Sequence, residues 1–140
     1  MQIWRICRSI YEPTAFTGYG SEKSGGRWNR KGFPMVYCSE NLSLAMLELL
    51  VHTSPANIPD DLMTIRGQLP ELSSIKQLFE RDLPTNWRDY PAPVELQDIG
   101  TNWLKSNSSL ALIVPSAVNP TENNILLNPR HHAMKHLIVD

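Results

Sequence analysis

Hydrophobic positions along this chain change spacing several times, and each change marks an element. Residues 2–8, QIWRICR, alternate apolar and polar positions and predict a first strand. Residues 33–39, FPMVYCS, form a short apolar run that predicts a buried strand. The pattern then becomes helical in NLSLAMLELLVH, residues 41–52. Asn41 is placed to cap it, and Leu42, Ala45, Met46 and Leu49 repeat at i, i+3, i+4 and i+7. Leu44, Leu47, Leu50 and Val51 fill most of the remaining surface, so this helix is expected to be buried on most sides. Its polar residues Ser43, Glu48 and His52 are therefore the informative ones.

Further along, LMTIRGQL predicts a strand and IKQLFERDL a short helix. The run from Pro84 to Pro93 reads as a connector, and ELQDIGTNWLKS as a helix weakened by Gly100. LALIV, NILLN and HLIV are compact apolar segments of strand character. Between the first two strands, residues 11–32 hold Gly18, Gly20, Gly25, Gly26 and Gly32 and read as one long loop of the kind that carries function. Repeats and low-complexity tracts are absent from the sequence. The order of elements predicts an α+β fold with a mixed or antiparallel sheet and a few short helices, in a single domain over residues 1–140.

Composition narrows the function. With 140 residues, 41% hydrophobic and 19% charged, the chain can bury a core without staples. The net charge of −1 and pI of about 6.4 lack the basic surplus from which nucleic-acid binders draw affinity, so direct nucleic-acid binding is not expected. Cys7 and Cys38 match neither a zinc spacing nor a disulfide framework and read as reduced thiols. Arg5 and Arg8 interrupt any signal-peptide core, and no apolar run is long enough to cross a bilayer. A cytoplasmic location and no membrane partner are the expectations.

Candidate chemistry concentrates in a few residues. Glu48 sits mid-helix among apolar neighbours, where a carboxylate is costly unless it is paired or faces a cleft; a surface pair with His52 at i, i+4 is the plainer explanation. In SGGRWNRKG, residues 24–32, Arg27 follows two glycines that let backbone approach a ligand, and a guanidinium suits phosphate. Trp28 reads as a loop anchor, and Arg30 and Lys31 as solvated cations. Tyr37 is either core packing or a stacking ring. Ser116 follows a strand and a proline without a nucleophile elbow around it. His131, His132 and His136 lack a carboxylate or thiol to complete a ligand set, so a metal is not expected.

Taken in order, GGRWNRKGFPMVYCSENLSLAMLELLVH, IGTNWL, LIVPSAV and NILLNPRHH resemble the RES domain family, bacterial toxins named for Arg, Glu and Ser. The likeness runs from Arg5 to about Ile138 and departs from the usual pattern at His132, where relatives often carry proline. It implies an ADP-ribosyltransferase-like fold and cleavage of the nicotinamide–ribose bond of NAD⁺ as substrate, with no prosthetic group. It also implies an Xre-type antitoxin with a helix-turn-helix part that covers the site. On this resemblance Arg27, Glu48 and Ser116 are the catalytic set, and Arg27, Tyr37, Gly26 and Asn128 bind NAD⁺. Glu48 would stabilise the developing sugar cation, Arg27 hold ribose or diphosphate, Tyr37 stack on nicotinamide, and Ser116 position substrate or Glu48. The final acceptor and the oligomeric state are not set by the sequence. Two other readings remain at this point: a nuclease-type toxin using His131, His132 or His136, and a non-catalytic toxin-like binding module.

Overall fold

The computed structural model describes residues 1–71 and 73–140. Strands β1 (Gln2–Arg8), β2 (Val36–Ser39), β3 (Leu62–Gln68), β4 (Ile75–Gln77), β5 (Ala111–Pro115), β6 (Asn123–Leu127) and β7 (Ile138–Val139) form one sheet in the order β4-β5-β6-β2-β1-β3-β7. All neighbours are antiparallel except β4 and β5, which run parallel. Helices α1 (Tyr19–Ser24), α2 (Leu42–Leu50) and α3 (Val94–Ser106) complete an α+β arrangement, as the element order predicted.

The centre of the sheet is buried on both faces, which is why β5 and the Ile125–Leu127 end of β6 read as apolar runs. Side chains alternate across the pleat. On β5, Ala111 and Ile113 join Ile3, Val36, Cys38, Ile125 and Leu127 in one core, while Leu112 and Val114 join Leu126, Trp28, Trp87, Leu96 and Trp103 in the other. The first core is closed by Phe16 and by Ala133, Met134 and Leu137 near the C-terminal end. The second is closed by α3 and by the loop carrying Trp28.

Gly100, which weakened the helical pattern of α3, has a packing reason. A Cβ there would lie 1.7 Å from the backbone oxygen of Trp28, so only glycine lets the loop rest on the helix. Around that contact α3 pins the loop: Gln97 Nε2 donates to the Gly26 oxygen at 3.0 Å, and Thr101 Oγ1 accepts from Arg30 N at 3.0 Å.

Four expectations need correction. IKQLFERDL is no helix: residues 75–77 are β4, paired with Ala111–Ile113, and a single 3-10 turn follows at Glu80–Asp82. The helical spacing of Ile75, Leu78 and Phe79 is overruled by pairing with a buried strand remote in sequence. Residues 11–32 are not one loop, because α1 and the end of a 3-10 turn at Ser9–Thr14 lie within them. The segment HLIV supplies only Ile138–Val139 as strand, since a 3-10 turn occupies His132–His136. Finally, α2 forms where predicted and Asn41 Oδ1 caps it, accepting from Leu44 N at 2.8 Å. Yet only Leu44 and Ala45 of this helix are buried; Met46, Leu47, Leu50 and the adjoining Val51 are exposed, because α2 lies against β1 and β2 by one face alone.

Candidate active site

A cleft of about 410 Å³ opens between the loop at Gly25–Trp28, the face of β1 and β2, and α2. Glu48, Arg27, Tyr37, Gly26 and His52 line it, together with Trp4, Arg5, Asn124 and Tyr90. The two charged residues ranked first from the sequence thus share one cavity although they come from different elements.

Glu48 projects from α2 toward the sheet, half-buried, and one of its oxygens is doubly bound. Ser116 Oγ donates to Oε1 at 2.6 Å, and Asn124 Nδ2 donates to the same atom at 2.8 Å. Ser116 is itself fully buried at the end of β5, and its oxygen accepts from Val118 N and Asn119 N, each at 3.1 Å. With both backbone donors on the oxygen, its one proton is directed to Glu48. Asn124 is oriented in turn by Ser39 Oγ, which donates to Asn124 Oδ1 at 2.8 Å. Two neutral donors on one carboxylate oxygen fix its direction. Oε2 accepts no hydrogen bond from the described residues, which leaves it for a substrate.

Arg27 is held differently. Its Nη1 donates to the Trp87 oxygen at 2.8 Å and its Nη2 to the Asp89 oxygen at 3.2 Å. The guanidinium lies over the Tyr90 ring, 5.0 Å from its centre. Burial lowers the Arg27 pKa, and the negative charges of Glu48 and Asp89 oppose that shift, with Tyr37 acting the same way. The group stays cationic because arginine starts far above neutrality.

Tyr37 Oη donates to Asn29 Oδ1 and accepts from Trp28 N at 3.0 Å. Burial raises its pKa, so the phenol stays neutral. Its hydroxyl is spent on shaping the GGRWN loop. Gly26 is small for the same reason, since a Cβ there would come within 2.7 Å of the Tyr37 hydroxyl. The glycine makes room for the Tyr37 hydroxyl at the edge of the cleft.

Other sequence candidates lie elsewhere. Trp28 is buried in the core, as an anchor should be, and Arg30 pairs with Asp98 on the surface, Nε to Oδ1 at 2.6 Å. Asn128 is buried and does not line the cleft; its Nδ2 donates to the Leu104 oxygen and to Asn107 Oδ1, closing the turn after α3. The histidines 131, 132 and 136 also lie outside the lining. His131 is buried, with Nδ1 accepting from Ala133 N at 3.1 Å, and burial followed by the neighbouring His132 lowers its pKa. That is a structural histidine. Burial pushes the Cys38 thiol up to about 12, which makes it inert at neutral pH.

Arg5, Asn124 and Tyr90 are among the cleft residues that escaped the sequence reading. Arg5 of β1 donates from Nη1 to the Tyr37 oxygen at 2.8 Å, while its Nε is shut from solvent without a partner among the described residues. An arginine inside an alternating apolar strand was the available signal. Asn124 gave no signal beyond an amide at the start of a strand.

This geometry joins a fixed carboxylate to two guanidinium groups in one cleft, a combination suited to a cationic sugar centre attached to phosphates. Comparison with known proteins gives the family. The family model described as RES domain matches residues 2–140, and the chain belongs to that family. It is 47% identical over 135 residues to "Toxin Res" of Yersinia enterocolitica, covering 96% of this chain and 88% of that protein. It is 33% identical over 132 residues to "Prs ADP-ribosylating toxin" of a Sphingobium strain, covering 91% and 82%. Among solved structures, the Mycobacterium tuberculosis MbcT–MbcA toxin–antitoxin complex contains a chain that superposes with a TM-score of 0.76. At 16% identity, with 99% of this chain and 80% of that one covered, this likeness is one of fold. Among the described residues, no helix is long and apolar enough to cross a membrane.

Proposed function

We propose that this chain is the toxin of a toxin–antitoxin pair and breaks the nicotinamide–ribose bond of NAD⁺. The observation that carries the reading is Glu48, whose Oε1 is fixed by Ser116 and Asn124 in a cleft that Glu48 lines together with Arg5 and Arg27. When the ribose C1–nitrogen bond breaks, its electron pair moves to the nicotinamide ring and neutralises the pyridinium. The leaving group therefore needs no general acid. The ribose is left with oxocarbenium character, as in glycoside cleavage. A carboxylate already oriented, at a site partly removed from water, stabilises that cation without reorganising.

Arg27 and Arg5 would hold the diphosphate, and Ser116 acts as a positioning residue through Glu48. Tyr37 contributes a wall of the nicotinamide end, with its hydroxyl committed to the loop. An acceptor oxygen attacks C1 and loses its proton toward Glu48 Oε2. Its identity is read from the product: ADP-ribose for water, its phosphate ester for inorganic phosphate, or a labelled protein. The partner is an Xre-type antitoxin, and the exposed apolar stripe Met46, Leu47, Leu50 and Val51 is its docking face. That stripe lies on the helix that carries Glu48, beside the face of Ala45, Glu48 and Leu49 that lines the cleft.

The test incubates purified chain with NAD⁺, with and without phosphate, and follows free nicotinamide beside an RNA-cleavage control. Absence of nicotinamide at high enzyme concentration would overturn the reading.

A further inference from the structure

This inference rests on the NAD⁺ reading and concerns the end of the molecule that does not react. Tyr90 lines the cleft and is 68% exposed, yet its ring is held from two sides. The Arg27 guanidinium lies over one face, 5.0 Å from the ring centre. The hydroxyl lies 2.7 Å from Nδ1 and 2.9 Å from Nε2 of His52, which follows the end of α2. The His52 and Tyr90 ring centres are 5.1 Å apart with that hydroxyl between them, so His52 sits beyond the tip of the tyrosine and covers neither face. With Arg27 over the ring and His52 at its tip, Tyr90 is still 68% exposed, which leaves ring surface for a ligand. An exposed tyrosine normally loses rotamer freedom when it binds something; this one has largely lost it beforehand.

We propose that the Tyr90 ring is the platform on which the adenine of NAD⁺ stacks. Position in the cleft supports the choice of base. The reacting ribose must lie against Glu48, the diphosphate against the guanidinium groups, and Arg27 touches Tyr90 on its far side. Following the substrate outward from the broken bond, the next group after the diphosphate is adenosine, and the next flat surface after Arg27 is Tyr90. The cleft is also near the small end of ligand sites, so a dinucleotide fills it with one half and lays the other on the rim. Arg27 is then shared between the diphosphate and the underside of the ring that carries adenine.

The test compares NAD⁺ with nicotinamide mononucleotide, which has the same scissile bond and no adenine, in wild type, Tyr90→Ala and Tyr90→Phe. In wild type NAD⁺ has the lower KM. Tyr90→Ala raises the KM for NAD⁺ about 5- to 100-fold, the span of base–aromatic stacking, and collapses the ratio of the two KM values toward one. Tyr90→Phe, which keeps the ring and loses only the contact to His52, restores most of the ratio. If Tyr90→Ala raises both KM values together, or neither, Tyr90 acts through Arg27 or not at all and the proposal is overturned. Calorimetry with ADP-ribose and ribose 5-phosphate on the same three proteins gives the answer independently of catalysis. Should wild type release no nicotinamide, the NAD⁺ reading has failed; loss of ADP-ribose affinity in Tyr90→Ala would still uphold the adenine platform, and unchanged affinity would sink it.

Discussion

The two charges of the cleft are set in place by opposite strategies. Glu48 is oriented by side chains: a serine hydroxyl at the end of β5 and a carboxamide on β6, both fastened to strands. Arg27 is oriented by main chain, through the carbonyls of Trp87 and Asp89 in an irregular connector. The difference teaches where each wall is vulnerable. The anion depends on residue identity at three positions and on the rigid sheet behind them. The cation depends on the course of a connector, with Trp87 in the core as the connector's own anchor.

The comparison breaks most severely at the anion itself. Glu48→Gln keeps the shape and removes the charge, and nicotinamide release should fall about 10³-fold in kcat, the scale on which oriented electrostatic groups act. Steady-state assay of both proteins measures it, and a loss below tenfold would remove Glu48 from its role. Next in size is Gly100→Ala, which attacks the cation's wall through its support. The new methyl meets the Trp28 carbonyl, the loop must lift from α3, and stability should drop by about 3 kcal/mol in chemical denaturation. Activity per folded molecule should fall with it, because Arg27 adjoins Trp28.

A smaller effect distinguishes the two ways of holding a charge. Ser116→Ala and Asn124→Ala each remove one donor from Glu48 Oε1, and each should lower kcat about 10- to 100-fold with little change in KM. Because both act on one oxygen, the double variant should lose less than the product of the single losses. Ser116→Ala also strands the amides of Val118 and Asn119, a cost of about 1–3 kcal/mol in stability that Asn124→Ala avoids. If the two losses multiply cleanly, Ser116 and Asn124 serve separate ends.

The same contrast explains what the sequence disclosed. Signals carried by residue type within one element were legible: the Asn41 cap, the buried run of β5, the helical face of α3, and Glu48 as a carboxylate among apolar neighbours. Family resemblance added Ser116, whose hydroxyl the structure places on Glu48 Oε1. Where a neighbour distant in sequence decides, local pattern failed. β4 is three residues whose strand state comes from pairing with β5. The exposure of α2 was invisible because Leu47, Leu50 and Val51 look alike whether their cover is this chain or a partner. Arg27's carbonyl partners could not be read at all, since a backbone oxygen carries no residue code. That Asn128 lies outside the cleft lining could not be read either, because an amide bonded to a helix end and one facing a cleft have the same letter.

The smallest effects test whether position, rather than charge, makes Arg27 matter among the three cations of SGGRWNRKG. Arg27→Lys keeps the charge but cannot span the Trp87 and Asp89 carbonyls with a planar fork while lying over Tyr90. The KM for NAD⁺ should rise about tenfold, since an ammonium lacks that preorganisation. Arg30→Ala removes a full charge three residues away, and nicotinamide release should stay at the wild-type level. Its partner Asp98 is on the surface, the pair is screened by solvent, and Arg30 does not line the cleft. The loop's placement survives because the Arg30 amide, unaffected by the substitution, still donates to Thr101. A fall in activity as large for Arg30→Ala as for Arg27→Lys would mean that the loop works through its summed positive field; unequal effects tie its function to one guanidinium fixed by main-chain carbonyls.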